Sequence, residues 1–158
     1  MKFPQLSTYN IEQQVVKLPQ DFSDELNLVF IVYGSWHVWQ FEGWLPFALR
    51  LQQAYRDFTF YSLSTAINVL EFGRNRARVA RLDGMMPPIP DRSVLTTYTD
   101  KFELKRHLHI ESDLNIVIML VRQNGTLEWC ETGSWSPEKA DSLDSKLLTL
   151  TTLWDEYE

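Results

Sequence analysis

Residues 27–33 (NLVFIVY) form an unbroken apolar run rich in Val, Ile and aromatics. Such a run is too short for a helix and suits a strand buried on both faces. It ends at Gly34-Ser35, and from about residue 36 to residue 55 the positions Phe41, Trp44, Leu45, Ala48, Leu51 and Tyr55 recur mostly at three- and four-residue spacings. That spacing predicts an amphipathic helix. Pro46 falls inside it, where the missing N–H and the clash of the ring with the preceding turn predict a bend. Residues 57–63 (DFTFYSL) alternate Phe58, Phe60 and Ser62 against Thr59, Tyr61 and Leu63, the pattern of a second strand. Strand, helix, strand implies a right-handed parallel crossover.

Around this unit the pattern is uneven. Residues 1–26 are polar and broken by Pro4 and Pro19, with a strand-like stretch at 11–18, and read as an arm or hairpin leading into the core. Residues 66–82 contain a predicted helix, and three prolines keep 84–90 (GMMPPIP) out of one. Residues 94–98 predict a short edge strand, and 99–109 (TDKFELKRHLH) a short helix from a Thr-Asp cap. Residues 115–121 (NIVIMLV) are a second fully apolar strand, Gln123-Asn124-Gly125 supplies a turn, and 126–132 (TLEWCET) returns antiparallel. After Gly133, Ser136 caps a helix with Pro137 first, Glu138 in its first turn, and Ala140, Leu143, Leu147 and Leu150 on one face.

At 158 residues the chain fits one domain, 1–158, with 1–26 as the arm and 27–150 as the core. Six Trp, nine Phe and six Tyr stand against a single Cys, so no intrachain disulfide can form. A net charge of −6 argues against nucleic acid, whose phosphates call for a basic surface. Residues 1–10 lack the apolar core of a secretory signal, and no apolar run approaches the roughly 18 residues of a membrane span. The expectation is a cytoplasmic protein without membrane insertion, and one Cys accords with a reducing compartment without requiring it.

The order of elements resembles the thioredoxin fold. The residues that carry the resemblance are FIVYGSW, at the place of a strand end followed by a Trp-containing active-site loop, Pro46 at the place of the helix-kinking proline, and QNGTLEWCETGSWSPEKADSL, the ending of hairpin, glycine and helix. Within that superfamily LVFIVY, GWLPF, YTDKFELKRHLHI and NGTLEW are also similar to redoxins and to the thioredoxin-like assembly factors of mitochondrial ATP synthase. The resemblance implies an α/β fold with three α/β/α layers, a central mixed sheet and a C-terminal hairpin plus helix. It also implies that such a domain can persist as a binding or assembly module, a fold-level analogy.

Thioredoxin-type exchange needs C-x-x-C at the helix start, where the dipole lowers the first thiol's pKa and the second resolves the mixed disulfide. Here the loop reads SWHVWQF. Matching Trp36 to the family's tryptophan puts His37 and Gln40 in the cysteine positions, and counting back from Pro46 puts Val38 and Phe41 there. Both thiols are missing under either offset, and so is the peroxiredoxin pattern. Cys130 lies in the closing strand of the hairpin, where Glu128 and Glu131 would raise its pKa. The cis-proline that the family places just before the hairpin strand is also missing from IESDLNIV. His107, His109, Glu111 and Asp113 would share one side of an extended strand but diverge on a helix, and a helix end followed by a polar loop is the preferred reading. No metal and no cofactor are expected.

Two surfaces remain. Trp36, His37, Trp39 and Gln40 occupy the loop that makes contacts in thioredoxin-like proteins, and Trp is enriched in interface hot spots. Trp44 and Phe41 go mainly to the core. Arg74, Arg76, Arg78 and Arg81 (GRNRARVAR) form a basic stripe, either a solvated helix face or a site for an acidic or phosphate-bearing partner. The expected function is a redox-inactive domain that binds a protein, as an assembly or scaffolding factor, and a homodimer contact would use the same exposed aromatics. The alternative is a redoxin-type thiol oxidoreductase or peroxidase that uses Cys130.

Overall fold

The computed structural model describes residues 2–32, 35–65, 89–112 and 114–157. Its strands are β1 (Leu6–Tyr9), β2 (Val15–Leu18), β3 (Leu26–Val32), β4 (Phe58–Thr65), β5 (Val94–Thr97), β6 (Val117–Arg122) and β7 (Leu127–Thr132). Its helices are α1 (Ser35–Ala54), α2 (Lys101–Leu108) and α3 (Pro137–Tyr157). The strands make one sheet in the order β2-β1-β5-β4-β3-β6-β7. β3 lies parallel to β4 and antiparallel to β6, β4 lies parallel to β5, and β6 and β7 form the antiparallel hairpin. The sheet is therefore mixed, as the order of elements implied.

Every residue of β3 is buried, because helices cover both faces and the side chains alternate between them. Leu26, Leu28, Phe30 and Val32 meet Phe41, Trp44, Leu45, Ala48 and Leu51 of α1 and Ala140, Leu143, Leu147 and Leu150 of α3. Val29 and Ile31 face the other way, toward Leu104 and Leu108 of α2 and Phe3, Leu18 and Phe22 of the N-terminal segment. Three layers result, and full burial of each Leu, Val or Phe stabilises them by roughly 1.5–3 kcal/mol.

The local signals explain most of the boundaries. Asp100 caps α2 by accepting the Phe102 N–H, and the helix stops at His109, which takes the left-handed conformation at φ 58°. Ser136 Oγ accepts the Lys139 N–H and so caps α3, which runs on to Tyr157, past the last predicted face residue, Leu150. Gly125, at φ +94°, makes the hairpin turn in which its N–H donates to the Arg122 carbonyl.

Two expectations need correction. The stretch at 11–18 is no single strand: Asn10 Oδ1 accepts the N–H groups of Glu12 and Gln14, and this side-chain turn opens a hairpin between β1 and β2. Nor is β5 an edge strand, because β1 pairs beside it through Tyr9 and Thr96, and Thr97 Oγ1 donates to the Ser7 carbonyl. The N-terminal hairpin thus extends the sheet and moves the edge to β2. The helix predicted at 66–82, the proline-rich stretch at 84–88 and the stripe of Arg74, Arg76, Arg78 and Arg81 lie outside the described residues.

Candidate functional site

α1 starts just after β3, at the place where the resemblance puts the active-site loop. Trp36, His37, Trp39 and Gln40 all lie in its first turns, which makes the predicted loop helical. Helix geometry then separates them, since residues two apart point roughly 200° apart around the axis. His37 is fully buried on the side that Phe41 and Trp44 continue into the core. Trp39, two positions on, is 75% exposed. Of the predicted group, Trp39 and not His37 therefore supplies surface.

Gln40 does something the sequence reading missed. Its Oε1 accepts the backbone N–H of Ile116 at 2.6 Å, and its Nε2 donates to Asn115 Oδ1 at 2.9 Å. Asn115 and Ile116 belong to the segment IESDLNIV, where the resemblance expects a cis-proline. Proline has no N–H to give, so this bond requires a residue other than proline at position 116. The bonds continue from there. The Gly133 N–H donates to the Ile116 carbonyl at 2.9 Å, and the buried indole N–H of Trp44 donates to the Gly133 carbonyl at 2.9 Å.

Gly133 stands at φ +88°, and a Cβ there would lie 3.1 Å from Lys139 Nζ. That ammonium is already committed, donating to the carbonyls of Thr132 at 2.8 Å and Ser134 at 3.1 Å. Three segments, the start of α1, the approach to β6 and the exit from β7, are thus joined by hydrogen bonds of side-chain and backbone N–H groups. Leu114, next to Asn115, is 76% exposed and adds a second apolar side chain beside the hydrogen-bonded pair. The signal that could have identified Asn115 and Ile116 was the missing proline itself, which leaves a buried N–H in need of an acceptor.

Cys130 is placed differently. It stands on β7 opposite Met119 and lines a cavity of about 510 Å³ with Val117, Met119 and Leu127, on the α2 side of the sheet. The residue is exposed, and partial desolvation against the sheet, and secondarily the Glu131 carboxylate, push its thiol above the ordinary range. Glu128, also expected to act on it, is instead engaged by Arg122 Nε at 2.7 Å and Lys146 Nζ at 3.7 Å. His107 Nε2 lies 3.4 Å from Glu103, and His109 closes α2. Among the described residues no group of three or more His, Cys, Asp or Glu is placed to hold a metal ion.

No protein-family model matches this sequence, and no curated protein does. Solved structures do match. A chain described as a thiol:disulfide interchange protein DsbE from Chlorobium tepidum aligns with a TM-score of 0.69 at 17% identity over 94% of each chain. A thiol:disulfide interchange protein from Bacteroides sp. gives 0.64 at 16% identity over 91% of this chain and 86% of its own. The thioredoxin domain of a thiol-disulfide oxidoreductase from Bacteroides vulgatus gives 0.63 at 15% identity over 92% and 94%. Another neighbour is an exposed lipoprotein thioredoxin of Streptococcus pneumoniae, so the fold by itself carries no compartment. No helix of the described residues is long and apolar enough to cross a membrane. The chain has the thioredoxin-like α/β fold, and its one cysteine stands on β7 rather than at the start of α1.

Proposed function

We propose that this protein is a thioredoxin-like domain without thiol-disulfide chemistry, which binds a protein partner through the start of α1 and acts as an assembly or scaffolding factor. The observation that carries the reading is the bond from the Ile116 N–H to Gln40, which commits to a structural contact one of the two residues that the Trp36 match puts in the cysteine positions. The exposed side chains of Trp39 and Leu114 stand beside that contact, and an exposed Trp on a rigid helix is the kind of group that anchors interfaces. The competing reading, thiol chemistry at Cys130, has less support. A thiol pushed upward by burial and by Glu131 carries little thiolate at neutral pH, and the thiolate is the nucleophile.

Affinity capture from the source cell tests the proposal with three forms of the chain. The wild type and Cys130→Ser recover the same partner, while Trp39→Ala loses it. Equal recovery by all three rejects the Trp39 surface. Loss with Cys130→Ser, together with peroxide or disulfide turnover by the wild type, would establish the competing reading. Size measurement of the purified chain separates a second copy of itself from another protein.

A further inference from the structure

A second cleft opens on the same side of the molecule, between α1 and the first turns of α3. Its volume is about 360 Å³, and its walls include Phe47, Arg50, Trp135, Asp141 and Asp144. It continues the line of Trp39 along α1, because positions 39, 43, 47 and 50 follow one another at three- and four-residue steps. Gly43 is the joint in that line. A Cβ there would lie 4.0 Å from Trp135 Cβ, so Trp135 borders the one position of the stripe without a side chain.

The chemistry of the cleft is specific. Asp141 and Asp144 stand one turn apart on α3, and the Tyr55 hydroxyl donates to Asp144 Oδ1 at 2.6 Å, which fixes that carboxylate in the wall of the cleft. The ion pairs formed by the described residues include neither Asp141 nor Arg50. The Arg50 guanidinium lies over the Phe47 ring at 5.5 Å, so the cleft already holds one cation on an aromatic face. Two carboxylates against one guanidinium leave the cleft net negative, in a chain whose formal charge is −6.

We propose that the α1–α3 cleft receives a lysine or arginine side chain from a basic segment of the protein partner, held between Asp141 and Asp144 and against the Trp135 ring. This deepens the protein-binding reading and rests on it, but it uses none of the residues that reading tests. Arg50 gives it a sharp sign. If the occupant is a cation, Arg50 repels it, whereas an anionic occupant would need Arg50.

The test is fluorescence anisotropy with a labelled peptide of alternating lysine and alanine, beside one of alternating glutamate and alanine. The lysine peptide binds the wild type more tightly than the glutamate peptide. Asp141→Asn, an exposed change of charge without change of shape, weakens it roughly fivefold, and Arg50→Gln tightens it by about threefold. Trp39→Ala leaves this affinity within about twofold, because the cleft is a separate contact. No binding, preference for the glutamate peptide, an unchanged Asp141→Asn or a weakened Arg50→Gln would each overturn the cleft proposal. Capture that depends on Trp39 would survive any of those outcomes, so failure of the cleft and failure of the Trp39 surface are distinguishable.

Discussion

Gln40 and Cys130 sit on opposite faces of the same sheet and show how far position outweighs residue type in this fold. Gln40 stands at the start of α1, and its amide is used up in holding Ile116 and Asn115. Cys130 has the reactive atom, yet among the described residues β7 offers it no helix terminus, and the charge that acts on it is the Glu131 carboxylate. It sits against Met119 and Val117 with a carboxylate next in sequence. A thiol becomes a nucleophile through what surrounds it, and the one thiol of this chain stands on β7, away from the start of α1. The start of α1 is a hydrogen-bonded platform from which Trp39 projects.

The comparison breaks most easily at the platform. Trp44→Ala removes the largest fully buried side chain among the described residues and its bond to Gly133, and should cost about 3–5 kcal/mol in chemical denaturation. A cost under about 1 kcal/mol would mean that the core closes without it. Gln40→Ala leaves the Ile116 N–H without its acceptor and is expected to cost about 1–3 kcal/mol. Hydrogen exchange at the Ile116 amide should accelerate, and an unchanged rate would show that the bond is not a lock. Gly133→Ala, at φ +88°, should cost about 1–2 kcal/mol.

At the other region the expected effects are small. Cys130→Ser should change stability at neutral pH by no more than about 0.5 kcal/mol. Its pH dependence is more telling. The folded chain holds the Cys130 proton more tightly than the unfolded chain, whose thiol titrates near its ordinary 9.0. Stability therefore stays level from this source below that pH and falls as the pH rises above it. Denaturation of the wild type minus that of Cys130→Ser should show this fall, and a rise instead would mean a thiolate favoured by the fold.

Why the sequence revealed one region and hid part of the other follows from what each depends on. The hairpin β6–β7, the buried β3 and the Ser136 cap depend on neighbours in the chain, and all of them are visible as apolar runs, an Asn-Gly turn and a capping residue. The absence of thiols at the start of α1 is equally local. The Gln40 contact joins residues 75 and 76 positions apart, and no spacing rule connects them. Read as one loop, the segment puts His37 on the surface with its neighbours, whereas the helix divides it by residue. β1 escaped for a similar reason, since LSTY becomes a strand only through pairing with β2 and β5.

Photo-crosslinking from the two regions tests the central claim most directly. A photoreactive phenylalanine analogue is placed at position 39 in one form of the chain and at position 130 in another, and both are irradiated in the source cell. The account predicts a discrete protein adduct from position 39 and none from position 130. An adduct from position 130 alone would put the working surface at the cysteine and contradict it.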